Sequence, residues 1–291
     1  MASLRPRARD GGFLLDQVGT EVRERLDAVE RHFDLAVDLT GDDGRTADLM
    51  ASSHRVGSLI DLTAGSAQGT ATSSHQLPRA VADDEWLPLA PQSLDLVTSV
   101  LSLQWVNDLP GTLIQIRRAL RPDGLLLGAM IGGNSLHELR AVLAAEEEES
   151  TGGVTPRVAP FVDVRDLGSL LQRAGFALPV TDVDTITVRY GNLFVLMADL
   201  RAMGATNILN GRTRVPWTKG RAVRAAQIYA QRYADEDGRI RATFQVLSFS
   251  GWAPSDGQQK PLRPGSAKAR LADALDTSEL PAGDQTPRKQ R

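Results

Sequence analysis

Apolar residues recur at steps of three and four from Leu15 through Val18, Val22, Leu26 and Val29 to Phe33, which predicts an amphipathic helix over 13–33. The period then changes. A continuous apolar run predicts a strand over 35–39, and the turn formers Thr40-Gly41-Asp42-Asp43-Gly44 follow it. A brief helix over 46–53 and a strand over 56–62, carrying Asp61 near its end, complete half of a Rossmann-like unit. The alternation continues with a strand over 94–101 and a helix over 109–120, stopped by Pro122-Asp123-Gly124. The run 125–131 is apolar throughout, as suits a strand covered on both faces. Strands alternating with helices specify a parallel α/β sheet.

In the second half a helix over 135–149 ends in four consecutive glutamates, Glu146 to Glu149. That run reads as a solvated helix end, although its charge opposes the helix dipole. The Gly/Pro-containing stretch 151–160 is long enough for a lid or substrate loop. Helices over 163–174, 193–203 and 219–233, a strand over 180–190 and a β-rich run over 242–252 complete the pattern. One domain is expected over 13–262, flanked by a disordered N-terminus over 1–12 and a mostly disordered tail over 263–291, rich in Pro, Gly, Lys and Asp. There are no internal repeats.

Composition narrows the class. The 291 residues suffice for a sizeable core, and 42% hydrophobic with 24% charged residues is ordinary for a globular protein. A net charge of −3 gives no footprint for nucleic acid, and no apolar run approaches the length of a bilayer span. The absence of cysteine excludes disulfides, thiolate metal sites and a cysteine nucleophile, and it fits a reducing compartment. Arg5, Arg7 and Arg9 lack an adjoining apolar core, so they read as a basic disordered segment; a very short organellar transit segment is the other reading. The four histidines have no metal-ligand spacing, and neither a Walker loop nor a serine-hydrolase elbow is present.

Three constellations carry chemistry. Asp38, Gly41 and Gly44 surround a strand-to-helix turn where a ligand's end can approach the backbone. Asp61, at the end of the next strand, is placed to accept hydrogen bonds from both hydroxyls of a ribose. Asp42 and Asp43 put negative charge where a pyrophosphate would sit, which favours the sulfonium and zwitterionic methionyl end of S-adenosylmethionine (SAM) over a dinucleotide. Asp83-Asp84-Glu85 is either a solvated turn or an acceptor for the adenine amine. Beyond strand 94–101, which includes Ser99 as a further cofactor-side candidate, Gln104, Trp105, Asn107 and Asp108 follow, of which Gln104, Trp105 and Asn107 are catalytic candidates. Trp105 has a second reading as a cap on the core.

The run Leu101-Ser102-Leu103-Gln104-Trp105-Val106-Asn107-Asp108-Leu109-Pro110 and Gly128-Ala129-Met130-Ile131-Gly132-Gly133 resemble core motifs of the class I SAM-dependent methyltransferases. Gly152-Gly153-Val154-Thr155-Pro156-Arg157, Arg173-Ala174-Gly175-Phe176 and Asp199-Leu200-Arg201-Ala202-Met203-Gly204 narrow the resemblance to a mitochondrial complex I assembly-factor family and its bacterial relatives. It runs from about Phe13 to Leu275. It implies a Rossmann-like, mostly parallel seven-stranded sheet with helices on both faces and a small helical addition over about 191–240. It further implies SAM as cofactor, bound at Asp38, Thr40, Gly41, Gly44, Asp61, Asp83, Asp84 and Ser99, with Trp105, Asn107 and Arg157 on the substrate side.

The implied partner is an iron–sulfur subunit of respiratory complex I, modified on an arginine by methylation or hydroxylation; the implied location is the cytoplasm of a bacterium or the mitochondrial matrix. A small acid or a malonyl carrier methylated on oxygen is the alternative substrate, and a non-catalytic assembly chaperone the alternative class. The first motif departs from the family: Thr40 stands where a glycine is usual, and a positive φ there would be strained. The departure implies either weaker SAM binding or a turn of different shape. Gln104 stands where many members carry histidine.

Overall fold

The computed structural model describes residues 12–63, 77–209, 211–212, 217–258 and 277. The chain divides into two units, Met1–Ser255 and Asp256–Arg291, and everything below concerns the first. The expected disordered termini lie almost wholly outside the described residues.

Helix α1 (Phe13–Asp27) buries Leu14, Val18, Val22 and Leu26, the apolar stripe read from the sequence. It stops six residues short of the expected end. The Ala28 and Val29 amides close onto Glu24 and Leu26, and the Phe33 amide bonds to the Arg55 carbonyl, so Phe33 opens strand β1 (Phe33–Asp38). Phe33 kept the helical spacing because it packs into the same core as α1. Helix α2 (Arg45–Ala51) leads into β2 (Val56–Thr63). Strand β3 (Arg79–Val81) was not anticipated; at three residues it shows no periodicity, and pairing with β2 alone defines it.

Next come β4 (Leu94–Val100), a 3-10 turn (Leu103–Trp105), α3 (Leu109–Ala119) and β5 (Leu120–Ile131). Asp108 caps α3 by accepting the Gly111 amide, and Pro110 sits in its first turn, where a missing N–H costs nothing. The rest comprises α4 (His137–Thr151), α5 (Val164–Arg173), β6 (Ala177–Tyr190), α6 (Leu193–Ala202), α7 (Lys219–Tyr233) and β7 (Ile240–Trp252). Helices α6 and α7 fall in the stretch expected as a helical addition.

The seven strands form one sheet in the order β3-β2-β1-β4-β5-β7-β6. The first five run parallel, and β7 is antiparallel to both neighbours. Strand alternation sends neighbouring residues to opposite cores. Ala36, Leu96, Leu125 and Leu127 pack with α1, α4, α6 and α7, while Val37, Val97, Leu126 and Met130 pack with α3 and α5. Strand order reverses at β1, between β2 and β4, so a crevice opens beyond its C-terminal end.

The acidic end of α4 is not a solvated surface. Glu146 and Glu147 are buried, whereas Glu148 and Glu149 face solvent. Arg221 of α7 donates to both Glu146 oxygens (2.8–3.1 Å), and Ser150 adds a bond of 2.6 Å. Glu147 receives Arg157 at 2.9 and 3.2 Å and the amide and hydroxyl of Thr155. These pairs join α4 to α7 and pin the stretch after α4, which is therefore anchored at Thr155 and Arg157. The Arg221 hydrogen bonds hold the Glu146 carboxyl down at about 2. Among the described residues no helix is long and apolar enough to cross a membrane.

Candidate active site

Asp38 closes β1 and is fully buried. Its Oδ1 accepts the hydroxyls of Thr98 (2.6 Å) and Thr40 (3.0 Å), and its Oδ2 accepts the Thr40 amide. Burial lifts the carboxyl to about 7; the Thr98 bond opposes that rise, and nearby Asp42 and Asp61 add to it. Thr40 also accepts the Val100 amide on its hydroxyl at 3.0 Å, which ties the turn to β4.

The strain expected at Thr40 is absent. Gly41 (φ 71) and Gly44 (φ 97) hold the left-handed positions, and Thr40 does not. The Thr40 side chain points toward β4, between Asp38 and the Val100 amide. Asp42 folds back over the start of α2, accepting the amides of Gly44 (2.7 Å) and Thr46 (3.1 Å) and the Thr46 hydroxyl. Those are the donors a phosphate would use. The turn therefore fits a cationic or zwitterionic group better than a pyrophosphate.

Asp61 sits beside Asp38 in the register of β1 and β2. It is 1% exposed, and its Oδ2 takes two bonds from Arg79, at 2.6 Å from Nε and 2.5 Å from a terminal nitrogen. Its Oδ1 is buried without a partner. Burial raises this carboxyl, while Arg79 pulls it the other way. The Arg79 guanidinium rests over the bare Cα of Gly44, where any Cβ would collide with it. Arg79 was missed in the sequence; the only signal is its register opposite Asp61 on a strand too short to recognise.

Asp83 and Asp84 lie in the turn after β3, on the same edge of the sheet. Asp83 is exposed and accepts the Glu85 amide, whereas Asp84 is buried and its carbonyl takes the Thr112 hydroxyl. Gln104 donates to the Leu101 carbonyl at 2.7 Å and leaves its Oε1 buried and unpartnered. Trp105 lines a small cavity of about 70 Å³ with Arg157, Phe161 and Asn207. Asn107 is exposed, and both its nitrogens donate to Glu85 (2.7 and 2.6 Å), so it fastens two loops together.

Ser99 is fully buried on the Val97 face of β4, and its hydroxyl has no hydrogen-bond partner among the described residues. Arg157, expected to meet substrate, is occupied by Glu147 and stacks 5.8 Å from the Trp217 ring centroid. Among the described residues no grouping could hold a metal ion.

Sheet order, the glycine turn after β1 and the aspartate near the end of β2 define a Rossmann-like nucleoside-binding fold. Residues 39–128 match the methyltransferase domain family. The chain is 39% identical to the mitochondrial arginine-hydroxylase NDUFAF5 of Danio rerio over 92% of its own length and 84% of that protein. It is 33% identical to the malonyl-[acyl-carrier protein] O-methyltransferase of Laribacter hongkongensis (strain HLHK9), covering 86% of each. Its fold matches the YcgJ protein of Bacillus subtilis with a TM-score of 0.57 at 12% identity, over 81% of this chain and 99% of that one. The chain is an enzyme of the SAM-dependent methyltransferase class, and it belongs to the family of NDUFAF5.

Proposed function

We propose that this protein binds SAM in the crevice beyond β1 and modifies an arginine side chain of a protein substrate. The observation that carries the cofactor assignment is the buried, unpartnered Oδ1 of Asp61 at the switch point. A buried acceptor without a donor is costly, and a ribose hydroxyl would satisfy it. Gly41 and Gly44 would admit the methionyl end, with Asp38 and Thr40 holding the turn in shape. Asp83 and Asp84 lie on the edge where adenine would be met. When bound, SAM would supply an activated methyl group on its sulfonium.

Identity to arginine hydroxylases supports arginine as the acceptor. The resemblance of the motifs supports a complex I iron–sulfur subunit as its bearer. Titration calorimetry with SAM should give binding to the wild type and a loss of at least tenfold in Asp61→Ala. Unchanged affinity in that variant would overturn the ribose assignment. Intact mass of the substrate subunit, from cells with and without this protein, should differ by one methyl or one oxygen at an arginine.

A further inference from the structure

A cleft of about 480 Å³ lies between α4 and the stretch 154–161. Its walls are mostly apolar, with Leu143, Val154, Val158 and Phe161 prominent, and Gly133 at the end of β5 opens one side. One charged group in it is unusual. Arg79, Arg157 and Arg221 each hold a carboxylate, but Arg140 has none among the described residues. Half-buried, it makes only two long contacts (3.4 Å), to the carbonyls of Ser135 and Ala159. A guanidinium held in an apolar cleft without a counter-ion is unfavourable until an anion reaches it.

The cleft adjoins the acceptor side. Arg157, Val158 and Phe161 line both it and the small cavity that Trp105 lines. Strand β5, whose end leads into Gly133 of the cleft, neighbours β4, which is followed by the 3-10 turn carrying Gln104 and Trp105. We infer that Arg140 receives a carboxylate of the acceptor molecule, carried on a short apolar stem that fills the cleft. Guanidinium pairs with carboxylate through parallel hydrogen bonds, and the dry walls strengthen the pair. The carboxylate belongs either to an acidic residue near the target arginine or to a small acyl group; Arg140 reads the same chemistry in both. This inference deepens the function proposed above and rests on it for the meaning of the cleft as an acceptor site.

The test uses the full chain and calorimetry with two probes, the peptide acetyl-Arg-Ala-Glu-amide and malonyl-pantetheine. Each is paired with its uncharged twin, the Gln peptide or acetyl-pantetheine. At least one acid should bind the wild type about tenfold more tightly than its twin, and Arg140→Gln should erase that difference. Arg140→Lys should restore part of it. The probe that shows the effect identifies the source of the carboxylate. Equal binding of acid and twin for both pairs, or a preference that survives in Arg140→Gln, overturns the inference. SAM binding is measured on the same samples: its retention in Arg140→Gln shows the variant is folded. Its absence in the wild type would defeat the cofactor reading without touching the carboxylate result.

Discussion

Thr40 stands in the turn after β1, and its hydroxyl is used twice, donating to Asp38 and accepting from the Val100 amide. Thr40→Val keeps the shape, leaves the buried Val100 amide without its acceptor and removes one of the three hydrogen bonds to Asp38. It should lower unfolding stability by about 1–3 kcal/mol, whereas Thr40→Ser should stay near wild type. Urea midpoints with unchanged slopes would establish this; equal loss in both variants would sink it. Asp38 titrates in the direction opposite to most carboxylates. Its folded value near 7 lies above the unfolded one, so the folded protein alone holds the proton between about pH 4 and 7. Its stabilising contribution is full below that window and is lost as pH rises through it. The stability advantage of wild type over Asp38→Asn should therefore shrink from pH 4.5 to pH 7.5, and a flat difference would contradict the assignment. Asp38, Gly41, Gly44 and Asp61 were legible as residues of one candidate crevice because strand ends and turn glycines are marked locally. Arg79 and Arg140 were not, because each gains its meaning from a strand or loop distant in sequence.

Helix α4 shows the same limit for a whole element. Its four terminal glutamates look alike in sequence, yet only two are solvated. Glu146 follows Leu139 and Val142 at helical steps of seven and four, which places it on the buried stripe; that was the available clue. Its partner Arg221 lies 75 residues away, beyond any local pattern. Glu146→Gln removes one half of a buried pair and should cost about 3 kcal/mol at neutral pH. Held at about 2 in the fold, this carboxylate contributes fully above its ordinary value near 4.5 and loses that contribution as pH falls toward 2. The gap between wild type and variant in thermal unfolding should close over that acid range. The part of β5 over 125–131 was legible because a run covered on both faces is apolar at every position. Its start over 120–124, expected as a helix end and stop, carries the exposed Arg121 and Pro122 and joins the strand through pairing with Leu94. The end of α1 was not legible, since Phe33 serves the same core from a strand that it had served in the helical pattern.

At the scale of the molecule, a ligand that binds only the folded state stabilises it by mass action. SAM at 100 times its dissociation constant should add about 2.7 kcal/mol, raising Tm by about 5–10 °C. Differential scanning fluorimetry should show that rise in the wild type and about half of it or less in Asp61→Ala. The sheet also imposes an order on biosynthesis. Strand β6 finds its only described sheet partner in β7, which must slide between β5 and β6 although it is translated after both. A ribosome that has released residues up to about 239 therefore carries a nearly finished protein with two unsealed β edges. Such edges recruit other chains. Translation stalled or truncated just before β7 is the interval in which this protein most needs a chaperone.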